Sequence, residues 1–158
     1  MEKYQKEIDI IFFTNNGEID QLTGAMAPDR FDQIVKRDLA ISDRSRSNLS
    51  MISITLDIEK FLVTAVEQDS ATVISTIEGE LVKITFSLRS IFRESDCFCR
   101  VSQLGFWVFF ASKTQSESAQ VIERAHKLLP SHCNISISHR GVSEKQLDWY
   151  TKIDQIHF

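Results

Sequence analysis

The stretch Arg93–Phe106, RESDCFCRVSQLGF, predicts the end of a helix followed by a β-hairpin. Before it, apolar residues recur at alternating intervals of four and three, the spacing of one helix face; these are Ile77, Leu81, Ile84, Leu88 and Ile91. The run FWVFFA that begins at its last residue is typical of a buried strand. We therefore expect a helix over residues 71–92, strands over 97–101 and 106–111, and the turn SQLG between the strands.

The segments on either side of this stretch predict an α+β fold. A helix is expected over about 28–42 with Pro28 in its first turn, and a strand is expected to end at Asp57. A helix stopped by Pro130, the short strand NISIS and a terminal helix in EKQLDWYTKI complete the chain. A ferredoxin-like βααββαβ sheet with helices packed on it fits this order, and another α+β layout fits nearly as well from periodicity alone. We divide the chain into a lead-in segment, 1–19, read as a helix or an edge strand, and one domain over 20–158.

Composition limits the classes of partner and the compartment. The net charge of −4 over 158 residues, with a pI near 5.6, argues against a general nucleic-acid binder, which needs a basic face. No apolar run is long enough to cross a bilayer, so no membrane association is expected. Of three cysteines, Cys97 and Cys99 would share one strand face, which favours core thiols in a cytoplasmic protein over disulfides or a metal pair.

Three motifs in a fixed order resemble the GGDEF domain of the diguanylate cyclase family. DQLTGAMAPDRF, from Asp20, is similar to the opening D-x-L-T-G-L-x-N-R-R-x-F, and LDIEKF resembles the D-x-D-x-F strand end. RESDCFCRVSQLGF resembles R-x-x-D-x-x-x-R-x-G-G-D-E-F without gaps. The resemblance covers nearly the whole chain from Asp20 onward, although LDWYTKI is a shortened match to the closing segment.

The resemblance also implies that the catalytic chemistry of the family is missing here. Diguanylate cyclases join two GTP molecules into cyclic di-GMP (c-di-GMP), using glycines for close approach to phosphate and acids to hold metal. The corresponding signature turn here is degenerate, with Ser102, Gln103, Leu104, Gly105 and Phe106. The guanine-reading positions fall at Ala65 and Val66, and Asp57 is a vestigial carboxylate that alone holds Mg²⁺ poorly. We expect no cyclase activity, no metal and no cofactor.

One ligand motif of the family is retained in the same stretch. R-x-x-D is the inhibitory site that binds c-di-GMP, and Arg93 and Asp96 hold its two positions. A guanidinium can donate two hydrogen bonds to guanine O6 and N7, while a carboxylate accepts from guanine N1 and N2. Arg124 matches a further arginine of that site, and Arg44 or Arg46 is a candidate for an arginine supplied by a dimer partner.

The expected function is thus a catalytically inactive receptor for c-di-GMP that acts through a homodimer or a protein partner. One alternative is a nucleotide-independent interaction or dimerisation module in bacterial signalling, for which Trp107, expected on the face opposite Phe106, would contact the partner. Another is residual cyclase activity through Asp57 and Glu59. Arg93 and Asp96 could also form a mere surface ion pair at a helix end, which contributes only about 0–1 kcal/mol.

Overall fold

A four-stranded antiparallel sheet carries helices on both of its faces. The structure is a computed structural model and describes residues 2–63 and 69–157. The strands are β1 (Asn48–Leu56), β2 (Cys97–Ser102), β3 (Gly105–Ser112) and β4 (Cys133–His139). A 3₁₀ turn, Glu2–Tyr4, precedes the helices α1 (Gln5–Ile10), α2 (Pro28–Ser45), α3 (Ile58–Phe61), α4 (Ser70–Ile91), α5 (Gln115–Leu128) and α6 (Gln146–His157).

The order of the strands confirms the ferredoxin-like prediction. The sheet order is β2-β3-β1-β4, and every neighbouring pair is antiparallel. Between α2 and α6 the elements follow one another as β1, α3, α4, β2, β3, α5 and β4, which is the predicted βααββαβ sequence. The α4 helix and both strands of the hairpin lie within two residues of the predicted bounds. The alternating apolar spacing around the opening stretch was therefore enough to locate the centre of the fold.

One face of the sheet packs against α1, α4 and α5. Alternate residues of β1, namely Ile52, Ile54 and Leu56, point into this core, as their period of two predicts. From α4 the residues at helical spacing, including Ile77, Leu81 and Leu88, are fully buried against them. The alternating residues of β1 and the helically spaced residues of α4, on which the sequence prediction rests, therefore pack against each other in one core.

The opposite face packs against α2 and α6, and here one prediction is wrong. Trp107 does lie on the face opposite Phe106, but it is only 5% exposed, because α2 and α6 cover that face. Its ring makes an edge contact with Tyr150 of α6 at a centroid distance of 5.0 Å. Trp107 is therefore a core residue and not a contact for a partner.

The lead-in segment contains a helix and then short bridges. Of the two readings made for 1–19, the helix is the one found, at Gln5–Ile10. Ile8 and Ile11 are buried in the first core, and Ile19 forms an isolated antiparallel bridge with Met26. In the described part of the chain, no helix has the length and apolar character that crossing a membrane requires.

The cysteines are buried thiols that form no disulfide among the described residues. Burial raises the pKa of the Cys97 and Cys133 thiols to about 12 and raises that of Cys99 well above its ordinary value. Because the thiolate is the reactive form, we expect all three to resist an aromatic disulfide reagent in the native protein at mildly alkaline pH. The same reagent should titrate them quickly in denaturant. A rapidly reacting thiol in the folded protein would contradict this packing.

Candidate functional site

The R-x-x-D tetrapeptide forms a tight turn between α4 and β2. The Asp96 amide donates to the Arg93 carbonyl at 3.0 Å, and the Arg93 amide donates to Asp96 Oδ2 at 3.0 Å. The Arg93 Nε lies 3.6 Å from the same carboxylate oxygen. Asp96 is therefore held in place by backbone, with a side chain only 8% exposed, whereas the Arg93 side chain is 65% exposed. The turn presents an exposed cation beside a fixed carboxylate.

Arg124 lies at the same corner of the molecule, but its guanidinium is already bonded. It donates to the carbonyl of Ile91, the last residue of α4, where a cation also favours the negative end of the helix dipole. The Arg93 guanidinium makes a marginal contact of 3.5 Å with the Ala111 carbonyl near the end of β3. The structure thus joins Arg93 to Asp96 and places Arg124 against the end of the helix that leads to them.

A cleft of about 480 Å³ opens beside Asp96, on the side of α2. Neither Arg93 nor Arg124 lines it. Its cations come instead from three arginines that the sequence analysis missed, Arg30 and Arg37 of α2 and Arg89 of α4. Arg30 and Arg37 lie seven residues apart, two turns of one helix face, so their spacing was a readable signal.

The cleft combines a flat surface, where Arg89 lies near the Phe98 ring, with the positive charge of its arginines. The Arg89 Cζ lies 5.9 Å from the centroid of the Phe98 ring, and its Nη2 donates to the Thr23 carbonyl at 3.3 Å. Arg30 is paired only loosely, 3.8 Å from Glu18, with both side chains at least half exposed. An aromatic ring, exposed guanidinium groups and the Asp96 carboxylate are the groups that suit a planar base carrying phosphate.

The signature turn, Ser102–Phe106, has a different character. The Leu104 side chain packs against the first core, and the Leu104 carbonyl accepts the Leu56 amide at 2.9 Å. The Gln103 carbonyl accepts from Arg100 Nη2 at 2.8 Å, and Phe106 is fully buried. Both of these carbonyls are thus bonded within the chain, and Leu104 presents an apolar side chain at the position where the family resemblance predicts a metal-binding acid.

A second cleft, of about 410 Å³, lies next to the signature turn. Its walls are the end of β1, the turn and the first turns of the lead-in helix, with Tyr4, Gln5 and Ile8 on one side. Asp57 and Glu59 are its acids. Asp57 Oδ1 accepts the Lys60 amide at 3.1 Å, so this carboxylate caps α3. The predicted guanine-reading positions, Ala65 and Val66, lie outside the described residues.

The side chains of this second cleft offer two carboxylates, Asp57 and Glu59, to a metal ion. A magnesium ion needs near-octahedral oxygen coordination, commonly with one or two carboxylates and substrate phosphates. Within residues 2–63 and 69–157, no three His, Cys, Asp or Glu side chains are grouped so that they could hold a metal. Leu104 offers no oxygen from its side chain, and Asp57 is engaged as a cap.

Asp57 should therefore behave as a helix cap. Replacing it with alanine should lower the free energy of unfolding by about 1 kcal/mol, because the Lys60 amide loses its acceptor. Asparagine caps a helix about as well as aspartate, so Asp57→Asn should retain most of the stability. Urea unfolding of both variants measures the difference. A loss as large for asparagine as for alanine would mean that the charge, and not the cap, is what matters.

A buried arginine, Arg100, pairs with Asp20 and connects the lead-in segment to the signature turn. Arg100 is 0% exposed, and its Nη1 donates to Asp20 Oδ1 at 3.1 Å and to the Phe12 carbonyl at 2.6 Å. Asp20, itself 1% exposed, also accepts the amide and the hydroxyl of Thr23. Burial lowers the pKa of Arg100, and the charge of Asp20 opposes that shift. Sequence motifs contained both residues without revealing that they meet.

Comparison with known proteins identifies the fold. No protein-family model matches the chain, and no curated protein matches it in sequence. Solved structures do match: the GGDEF domain of DgcB from Caulobacter crescentus in complex with c-di-GMP is 14% identical with a TM-score of 0.67, over 90% of this chain and 88% of that one.

Two Pseudomonas aeruginosa structures are equally similar. The FimX GGDEF domain is 15% identical with a TM-score of 0.68, over 89% of each chain. The diguanylate cyclase SiaD, solved with its activator SiaC, is 15% identical with a TM-score of 0.69, over 98% of this chain and 58% of that one. The chain therefore has the fold of GGDEF domains.

Proposed function

We propose that the chain binds c-di-GMP at the R-x-x-D corner and does not synthesise it. The observation that supports the proposal is a fixed carboxylate, Asp96, that pairs with the exposed Arg93 guanidinium and also lines a cleft containing three arginines. The similar GGDEF domain of DgcB was solved in complex with c-di-GMP, which makes this dinucleotide the first ligand to test.

The chemistry of c-di-GMP suits this corner. Its two guanines offer O6 and N7 to a guanidinium fork and N1 and N2 donors to a carboxylate, and its two phosphates are anions. Arg93 would bond one guanine, with Asp96 accepting from a guanine edge, and the cleft arginines Arg30, Arg37 and Arg89 would meet phosphate or stack. Three or four charge-assisted hydrogen bonds would each contribute roughly 1.5–3 kcal/mol before ordering costs. Their sum is compatible with a binding free energy of about −8 kcal/mol, which corresponds to a micromolar dissociation constant.

The proposed loss of catalysis rests on the signature turn. Leu104 replaces the metal-binding acid and packs on the core, and Ser102 and Gln103 replace the glycines that allow close approach to phosphate. Asp57 remains, engaged as a cap. We propose that the domain works without metal or cofactor, in the bacterial cytoplasm, and that a homodimer or a protein partner reads the bound state. SiaD with its activator is an example of a partner on this fold.

Isothermal titration calorimetry tests the proposal. We expect c-di-GMP to bind with a dissociation constant in the micromolar range, and GTP, with and without Mg²⁺, to bind at least tenfold more weakly. Cyclic di-AMP is the matched control, since adenine lacks the O6 acceptor and the N1 and N2 donors of guanine. No heat with c-di-GMP at high protein concentration, or equal binding of the two cyclic dinucleotides, would overturn it.

A further inference from the structure

The two edges of the sheet are protected differently. At the β2 edge, the Met26 amide donates to the Phe98 carbonyl at 3.0 Å, and Met26 forms a parallel bridge with Cys99. The β4 edge, sequence CNISISH, has no such bridge among the described residues. It also carries no Lys, Arg, Asp, Glu or Pro, the residues that natural edge strands use to prevent pairing with another strand.

The backbone bonds of β4 show which of its groups face outward. The Arg140 amide donates to the Leu49 carbonyl, and the Asp57 amide donates to the His132 carbonyl, each at 2.9 Å. In an antiparallel ladder the bonded pairs alternate, so the even-numbered residues of β4 bond to β1. The amides and carbonyls of Ile135 and Ile137 therefore point away from the sheet, and within the described chain they have no hydrogen-bond partner.

We propose that β4 pairs antiparallel with β4 of a second copy of this chain, about a two-fold axis at Ser136, to give a continuous eight-stranded sheet. Ile135 would then exchange two backbone hydrogen bonds with Ile137 of the partner subunit, and the symmetry repeats the exchange. The outward amides and carbonyls of these two residues would all be bonded.

The strand is complementary to itself in this register. The Ile135 and Ile137 side chains lie half-buried at the margin of the first core, and each would meet an isoleucine of the partner, which extends that core across the junction. On the opposite face, Ser136 would meet Ser136 of the partner subunit, and Asn134 would meet the partner's Ser138. Because β4 bears no acidic or basic side chain between these residues, the two-fold places no like charges together.

Introducing a charge at Ser136, on the two-fold axis, gives the sharpest test. Ser136→Asp and Ser136→Lys should each weaken self-association at least tenfold in analytical ultracentrifugation, because each places like charges opposite one another. An equimolar mixture of the two variants should dimerise again, and the neutral Ser136→Asn should resemble the wild type. A wild type that stays monomeric up to millimolar concentration, or a mixture that does not recover association, would overturn the proposal. If the mixture associates again, the loss of association in each single variant is not due to misfolding, because a misfolded variant would not regain association with its partner.

Cross-linking tests the register separately. Residues facing each other in a non-hydrogen-bonded pair have Cα atoms about 4.5 Å apart, which a disulfide can span. Ser136→Cys should therefore form a covalent dimer under mild oxidation, while Asn134→Cys, which faces the partner's Ser138, should not. The wild type, whose three cysteines are buried, is the background control. Equal cross-linking at both positions would rule out this register. All of these measurements are made without nucleotide, so they stand apart from c-di-GMP binding.

Discussion

Replacing Arg100 with methionine should lower the free energy of unfolding by about 3–5 kcal/mol, the cost of breaking a buried ion pair by removing one partner. The guanidinium is fully buried and donates to Asp20, to the Phe12 carbonyl and to the Gln103 carbonyl. Its removal leaves the Asp20 carboxylate, 1% exposed, with the amide and the hydroxyl of Thr23 as its remaining donors among the described residues. Urea unfolding followed by tryptophan fluorescence measures the loss.

A double-mutant cycle separates the ion pair from packing. Asp20→Asn combined with Arg100→Met should cost less than the sum of the two single changes, because the second change removes a group that the first left unpaired. Arg30→Ala is the surface control, expected within about 0.5 kcal/mol of the wild type, since its contact with Glu18 is long and exposed. Strictly additive losses, or a loss below 1 kcal/mol for Arg100→Met, would contradict the central role given to this pair.

Replacing Arg93 with alanine should weaken c-di-GMP binding by about 10–100-fold, the effect of losing charge-assisted hydrogen bonds of roughly 1.5–3 kcal/mol. Stability should change little, because the Arg93 side chain is largely exposed and its ion pair with Asp96 spans 3.6 Å. Arg93→Lys retains the charge but loses the fork, so its affinity should fall between those of wild type and alanine. Calorimetry on each variant gives the affinities, and urea unfolding gives the stabilities.

The matched controls come from the other arginines of the chain. Arg89→Ala should weaken binding if the cleft holds part of the dinucleotide, whereas Arg124→Ala should act less strongly, because its guanidinium already serves the Ile91 carbonyl. Arg44→Ala, at the opposite end of α2 from Arg30, should have no effect in a one-to-one complex. Unchanged affinity for both Arg93→Ala and Arg89→Ala would contradict binding at this corner.

The fold could be predicted because its information is local. The spacing of Ile77, Leu81 and Leu88 marks a helix face, and the alternation in β1 marks a strand face, whichever elements they pack against. The exposure of Trp107 could not be predicted in this way. Alternation assigned it to the second face correctly, but whether that face is covered depends on how α2 and α6 return to the sheet.

In the candidate site, too, contacts between residues close in sequence could be predicted, whereas contacts between distant residues could not. Arg93 and Asp96 are three residues apart, so their contact was readable as one turn, and the Arg93 Nε lies 3.6 Å from Asp96 Oδ2. Arg100 and Asp20 are eighty residues apart, and their pairing depends on the whole topology. The cleft arginines lie on two helices, and only the seven-residue spacing of Arg30 and Arg37 hinted at a shared surface. Long-range convergence is what single-sequence patterns do not contain.

Amide chemical-shift mapping with ¹⁵N-labelled protein tests the central claim most directly, because it separates the two clefts in one experiment. On addition of c-di-GMP we predict that the perturbed amides cluster at the R-x-x-D turn and its cleft, around Arg89, Arg93 and Phe98. The amides of Ser102–Gly105 and Asp57, at the second cleft, should stay unperturbed. Perturbations centred on the signature turn, or none at saturating dinucleotide, would contradict the account.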